Sequence, residues 1–185
     1  MLILVVGPSG AGKDTLMDGA RAALGEGAPV RFVRRVITRP VDPRGEAHEP
    51  ATEADFLRRE GNGDFALSWR AHGLHYGIPA DIAQDLAHGR VVIANVSRAV
   101  VAAAAERFPV AVIEVSASAD VLARRLAARG REDAVDVARR LSRAIELPLP
   151  VERQRVVNDG AVAQGVRRML AAIRAVSGTK LGPLQ

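Results

Sequence analysis

Residues 7–15 read G-P-S-G-A-G-K-D-T, directly after an apolar run at 1–6 and before a helical pattern. The glycines let the backbone turn back and aim successive N–H groups into one concavity, to which the N-terminus of the following helix adds its dipole. Anions collect in such a place. Lys13 then supplies a mobile positive charge for the β- and γ-phosphates of a nucleoside triphosphate. Gly7, Pro8, Ser9, Gly10, Ala11, Gly12, Lys13, Asp14 and Thr15 are therefore the candidate nucleotide site, with ATP and Mg²⁺ as the expected cofactors. A glycine-rich turn without a ligand is the plainer alternative.

One position departs from the usual motif, which has a hydroxyl on Mg²⁺ immediately after the lysine. Here that position is Asp14, and the hydroxyl comes one residue later at Thr15. Asp14 suits the first turn of a helix, yet its charge repels phosphate unless a cation lies between. Two readings stay open: Asp14 and Thr15 help to hold the metal, or Asp14 only caps the helix.

Other groups of side chains suggest the second half of a phosphoryl transfer. Arg39 and Arg44, on a proline-rich loop, could clamp a phosphate on an acceptor, the alternative being solvated charge. The run W-R-A-H-G-L-H-Y-G-I-P at 69–79 holds the only tryptophan and the only tyrosine. His72 and His75 could be metal ligands, but no cysteine or nearby carboxylate pair completes a site. His72 and Tyr76 are candidates there for hydrogen bonding a substrate, against ordinary packing of Trp69. Arg124, Arg125, Arg129, Arg131, Arg139, Arg140 and Arg143 surround a break at Gly130. Guanidinium groups on such a segment could close over a transferring phosphoryl group and exclude water, and Arg131 and Arg140 are the candidates for catalysis. V-V-N-D-G at 156–160 ends a strand in a turn, where Asn158 could meet the adenine of ATP, since ligands gather at the carboxyl ends of parallel strands.

The elements needed to position these groups alternate. Apolar runs at 2–6, 91–96, 110–115 and 154–157 predict strands, and so does 31–37. Helical patterns fall at 13–24, 52–60, 118–129, 134–146 and 161–176, with another opening at 77–81 on Pro79. Alternation of this kind predicts an α/β fold with a parallel sheet covered on both faces. One domain over 1–185 is expected, with a core at 1–36 and 89–176, an acceptor-binding insert at about 37–88, an arginine-rich lid at about 129–135 and a frayed tail at 177–185.

Composition narrows the classes. The 185 residues are 48% hydrophobic, so disorder is excluded, and the lack of cysteine removes disulfides and thiolate chemistry. The net charge of +5 is carried by arginine, the only lysines being Lys13 and Lys180. Arginine suits bidentate phosphate recognition, although a general Arg-for-Lys habit gives the same bias. With 3% aromatic residues, a single-strand stacking platform is disfavoured, and no nucleic-acid partner is expected. The N-terminal run is too short for a signal peptide and nothing approaches a membrane span, so a cytoplasmic location and no membrane partner are expected. The oligomeric state is not legible.

The loop G-P-S-G-A-G-K, T-R-P at 38–40, Y-G at 76–77, R-G-R at 129–131 and V-V-N-D at 156–159 together resemble P-loop NTPases of the nucleoside monophosphate kinase fold, guanylate kinases above all. The acidic segment that helps such kinases read guanine is replaced by Ala94-Asn95-Val96-Ser97-Arg98, and a glutamate is missing from F-A-L-S-W-R at 65–70. Anion clamps are kept where base readers are lost. That pattern resembles the ribose 1,5-bisphosphate phosphokinases of phosphonate breakdown. Their loop is similar to G-P-S-G-A-G-K-D-[ST]-L, and further likenesses lie at 35–40, 69–79 and N-x-S-R at 95–98. The resemblance implies transfer of the ATP γ-phosphoryl group to a phosphorylated sugar, ribose 1,5-bisphosphate, to give 5-phosphoribosyl 1-diphosphate and ADP. It adds Asn95, Ser97 and Arg98 to the candidate substrate-binding residues. Rival readings are a guanylate kinase-like nucleotide kinase, a kinase acting on a sugar hydroxyl, and a basic nucleic-acid-binding or scaffold module on an inactive kinase fold.

Overall fold

A computed structural model describes residues 1–41, 46–127 and 151–178. Nine strands are described. β1 (Leu2–Val6), β2 (Val30–Phe32), β7 (Val91–Asn95), β8 (Val110–Ser116) and β9 (Glu152–Val157) form one sheet in the order β2-β7-β1-β8-β9. β3 (Val36–Ile37), β4 (Glu49–Pro50), β5 (Phe65–Ala71) and β6 (Leu74–Pro79) form a second, in the order β4-β3-β6-β5. The described helices are α1 (Lys13–Leu24), α2 (Glu53–Gly61), α3 (Ile82–Ala87), α4 (Val101–Ala105), α5 (Ala119–Ala127) and α6 (Val162–Ser177). None of them is long and apolar enough to cross a membrane. β1 and β7 are buried along their whole length, as expected of parallel strands covered on both faces.

Two compact units are distinguished: Met1–Leu4 with Pro29–Val110, and Val5–Ala28 with Ala111–Gln185. In the first, β2 pairs in parallel with β7, Val30 opposite Val91 and Phe32 opposite Ile93. The four-stranded sheet lies wholly in this unit and, but for Val36, within the stretch expected to be the insert. Its hairpin β5–β6 is antiparallel, with Trp69 opposite Tyr76 and Ala71 opposite Leu74. Phe56 of α2 stacks on Phe65 at 4.5 Å between centroids and packs with Val36 in a small core. A Cβ on Gly77 would lie 2.6 Å from the Phe65 ring, so only glycine lets the ring cover this strand.

In the second unit β8 and β9 run parallel, from Ala111 opposite Glu152 to Ser116 opposite Val157. α1 packs against α6 through small residues. A Cβ on Gly19 would stand 2.4 Å from the Val166 side chain, and one on Gly165 would stand 2.7 Å from that of Leu16. Leu16, Met169, Leu170 and Ile173 are buried.

Two sequence expectations are corrected. The strand predicted over 31–37 is two strands in different sheets: Val30–Phe32 pairs with β7, whereas Val36–Ile37 pairs with β6 and β4. Its apolar pattern runs through both pieces, but exposed Arg34 lies between them and the pairing partners change. The helix expected to open at 77–81 begins at Ile82, because Gly77, Ile78 and Pro79 finish β6. Pro79 sits at the strand's last position, where the missing N–H costs no ladder bond. The expected helix at 134–146, the lid and most of the tail lie outside the described residues.

Candidate functional site: a phosphate loop and an arginine-bearing loop

In the second unit, β1 delivers the chain into the glycine-rich turn and α1 begins at Lys13. Gly10 and Gly12 take left-handed φ of 81° and 85°, the conformation that folds consecutive N–H groups into an anion nest. Gly12 is the residue before the helix and has no side chain to cap it, so the first-turn amides are not taken up by it. Lys13 Nζ donates to the carbonyls of Gly7 at 2.9 Å and Pro8 at 3.1 Å. Pro8, Ser9 and Ala11 supply backbone to the same turn, Ala11 N donating to Pro8 O at 3.3 Å.

Two residues from far along the chain brace this loop. Asn158, 5% exposed, donates from Nδ2 to the Ala11 carbonyl at 2.8 Å, and its own backbone N–H donates to Ser116 O at 2.7 Å. The strand pairing of β8 and β9 is what carries Asn158 there. The side chain expected to meet adenine is thus engaged with the loop itself, as a strut. Arg125 of α5 reaches the carbonyls of Gly10 and Ala11, each at 3.4 Å. It was visible in the sequence only as one of seven arginines, and nothing in the spacing distinguished it. Asp159 accepts from Ser118 N at 2.6 Å, which ties the end of β9 to the start of α5.

Asp14 and Thr15 occupy the first turn of α1, Thr15 exposed and Asp14 half-buried. A carboxylate and a hydroxyl at adjacent positions are hard oxygen donors, the ligand type that suits Mg²⁺. Their chemistry fits that ion.

The first unit holds the candidate acceptor residues. Arg39 follows β3, and its Nε is buried with no hydrogen-bond partner among the described residues. A buried guanidinium N–H without an acceptor is costly, and an anionic ligand would satisfy it. Tyr76 is stacked with Trp69 at 5.3 Å and an interplanar angle of 6°, and the Arg35 guanidinium stands over the Tyr76 ring at 5.3 Å. Arg35 makes a bidentate ion pair with Glu46, its Nε donating to Oε1 at 2.6 Å and its second nitrogen to Oε2. Glu46 and its partner therefore absorb part of the charge that the sequence displays on this loop. His72 sits with Gly73 in the two-residue turn of the β5–β6 hairpin, exposed and at a left-handed φ of 53°. Asn95 is buried at the end of β7. Ser97 accepts from Ala99 N at 3.3 Å and so caps the short 3-10 turn Arg98–Val100. Arg44, Arg131 and Arg140 lie outside the described residues.

His48, which opens the segment 48–52 standing where guanylate kinases have a tyrosine-rich acceptor-phosphate segment, is buried and was not among the candidate site residues. His75, weighed from the sequence only as a metal ligand, faces Phe56 at 5.3 Å and places Nε2 3.3 Å from Glu53 Oε1.

No family model matches the chain. A protein of Acidiphilium cryptum named ribose 1,5-bisphosphate phosphokinase PhnN is 55% identical over 84% of this chain and 82% of its own length. A bifunctional ribose 1,5-bisphosphokinase-thymidine phosphorylase of Cupriavidus pinatubonensis is 51% identical over 92% of this chain, which spans only 29% of that relative. Among solved structures, guanylate kinase from Anaplasma phagocytophilum superposes with a TM-score of 0.70 over 98% of this chain and 88% of its own, at 16% identity. The sheet order and its flanking helices are accordingly those of an α/β P-loop kinase, and the chain belongs to the ribose 1,5-bisphosphate phosphokinase family.

Proposed function

We propose that this protein transfers the γ-phosphoryl group of ATP to the 1-phosphate of ribose 1,5-bisphosphate. An oxygen of the 1-phosphate attacks the γ-phosphorus, the bond from that phosphorus to the β,γ-bridging oxygen breaks, and ADP leaves with the electron pair. The product is 5-phosphoribosyl 1-diphosphate. The attacking oxygen is already ionised near neutral pH, so the reaction needs no general base, and catalysis rests on positioning and charge. The observation that carries the reading is a phosphate loop complete from Gly7 through Lys13 in a chain 55% identical to a protein named for this reaction.

In this reading the nest over Gly7–Gly12 holds the β- and γ-phosphates and Lys13 leaves its loop carbonyls to follow the charge in transit. Bound Mg²⁺ would neutralise phosphate charge, with Asp14 and Thr15 as its protein-side oxygens. Arg39, whose buried Nε–H has no partner among the described residues, takes an acceptor phosphate, and Arg44 assists it. Tyr76, Asn95, Ser97 and Arg98 orient the sugar phosphate, and His72 is the outermost member of that group. Asn158 reaches the nucleotide only through the loop that it braces. Arg131 and Arg140 stabilise the transferring group. The protein works in the cytoplasm without a nucleic-acid or membrane partner.

Phosphorus NMR of the protein with Mg²⁺, ATP and ribose 1,5-bisphosphate tests the activity, with GMP and gluconate as acceptors in parallel samples. A new pair of diphosphate doublets together with ADP, in the first sample alone, is the expected result. Turnover of GMP instead would return the protein to the nucleotide kinases.

A further inference from the structure

His48 is only 2% exposed, and both of its ring nitrogens face backbone carbonyl oxygens. Nδ1 lies 2.9 Å from Glu46 O and Nε2 lies 3.0 Å from Arg39 O. Carbonyls only accept, so a ring nitrogen that bonds one must carry a proton; the neutral ring has one such nitrogen and the imidazolium two. The two contacts reach both flanks of the loop that carries the acceptor arginines. On its other side, the Arg39 N–H donates to Ile37 O at 2.8 Å, which ties the same residue to the end of β3. Glu46, in turn, is fixed through its carboxylate by Arg35, the guanidinium over the Tyr76 ring.

Arg39 is therefore held at its backbone while its buried Nε has no partner among the described residues. A long, rotamer-rich side chain gains most as an anion clamp when its root is fixed before the ligand arrives, because less freedom is lost on binding. We propose that His48 is the positioning residue of the acceptor site. Its Nε2 hydrogen bond to the Arg39 carbonyl sets the guanidinium for the phosphate, whereas its Nδ1 contact with Glu46 only secures the far flank of the loop. The inference rests on Arg39 being an acceptor clamp, as proposed above.

The two ring nitrogens can be separated by substitution. In His48→Gln the amide nitrogen stands near the former Nε2 and keeps a donor for the Arg39 carbonyl. In His48→Asn it stands near the former Nδ1 and serves only Glu46. Steady-state kinetics in both substrates, with calorimetric binding of ribose 1,5-bisphosphate, would be measured for these variants, for His48→Ala, for Arg39→Ala and for the Arg39→Ala/His48→Ala pair. We expect His48→Ala to raise the acceptor KM about tenfold with the KM for ATP unchanged, the scale of one lost hydrogen bond and its consequences. His48→Gln should recover to within about threefold of the unsubstituted protein, and His48→Asn should stay as weak as His48→Ala. In the Arg39→Ala background the His48 substitution should add nothing. Equal rescue by Gln and Asn, equal loss for both substrates, or full additivity with Arg39→Ala would each overturn the positioning role. Should His48→Ala not fold, the contrast between Gln and Asn makes the same decision. A raised acceptor KM in Arg39→Ala with none in the His48 variants removes His48 alone. An unaltered acceptor KM in Arg39→Ala removes the clamp itself.

Discussion

Around the phosphate loop, side chains hold backbone: Lys13 takes the carbonyls of Gly7 and Pro8, Arg125 those of Gly10 and Ala11, and Asn158 that of Ala11. Around Arg39 much of the scaffold is side chain on side chain. Arg35 pairs with Glu46 and covers Tyr76, Tyr76 stacks on Trp69, and His48 is the piece that returns to backbone. The difference follows from what each place presents to a ligand. A nest offers peptide N–H groups, so the chain must be bent and its carbonyls tied back. A clamp offers guanidinium groups on flexible stems, so neighbouring charges and rings must restrict them. Substitutions at the loop should therefore act through backbone geometry and nucleotide binding. Those near Arg39 should act through the acceptor.

Lys13→Ala should break the loop half most severely. We expect kcat to fall roughly 10³-fold, the scale for removing a donor aimed at developing charge in a site shielded from water. The unfolding midpoint should move far less than the rate, since the contacts to Gly7 O and Pro8 O are part-exposed hydrogen bonds of modest net worth. Single-turnover phosphorylation measured alongside chemical denaturation separates the two effects, and retained turnover would remove the loop from the chemistry.

Gly12→Ala comes next. The added Cβ would meet Asn158 Nδ2 at 2.6 Å on a backbone with φ of 85°. Left-handed strain and the collision together should cost about 2–3 kcal/mol in urea unfolding. Adding Asn158→Ala to Gly12→Ala should relieve the collision but not the strain, so the pair should be less than additive. Full additivity would mean that Asn158 does not brace the loop.

The loop was legible in the sequence because its chemistry is local: seven consecutive letters fix the turn, the charge and the helix start at Lys13. Its braces were not. Asn158 and Arg125 reach it across more than 110 residues, and that proximity is produced by the pairing of β8 with β9 and by the placement of α5. On the acceptor side, T-R-P marked Arg39, but the sequence could not show that Glu46 neutralises Arg35 or that His48 is buried. His72 read as a substrate ligand because its residue type suits one, whereas its left-handed turn position follows from the hairpin register of Ala71 and Leu74. The strand over 31–37 was misdivided for a similar reason, since periodicity records burial and not which partner does the burying.

Glu46→Gln tests whether the acceptor half depends on charge. Both partners are largely buried, with side-chain exposures of 11% for Arg35 and 16% for Glu46. Neutralising one leaves the other uncompensated, which should cost about 2 kcal/mol in unfolding and raise the acceptor KM while sparing that for ATP. A matched loss for ATP would mean that the two halves are not braced independently.

Tyr76→Phe should be the mildest change and the most discriminating. The ring keeps its stack on Trp69 and its place under Arg35, so stability should shift by less than about 0.5 kcal/mol. Only the hydroxyl is lost. If that hydroxyl donates to an acceptor phosphate, the acceptor KM should rise about fivefold with kcat nearly unchanged, the scale of a single hydrogen bond to a charged group at a partly exposed position. A change below twofold would confine Tyr76 to the stack and make the acceptor half a clamp of arginines alone, with the aromatic pair serving only to hold Arg35 in line.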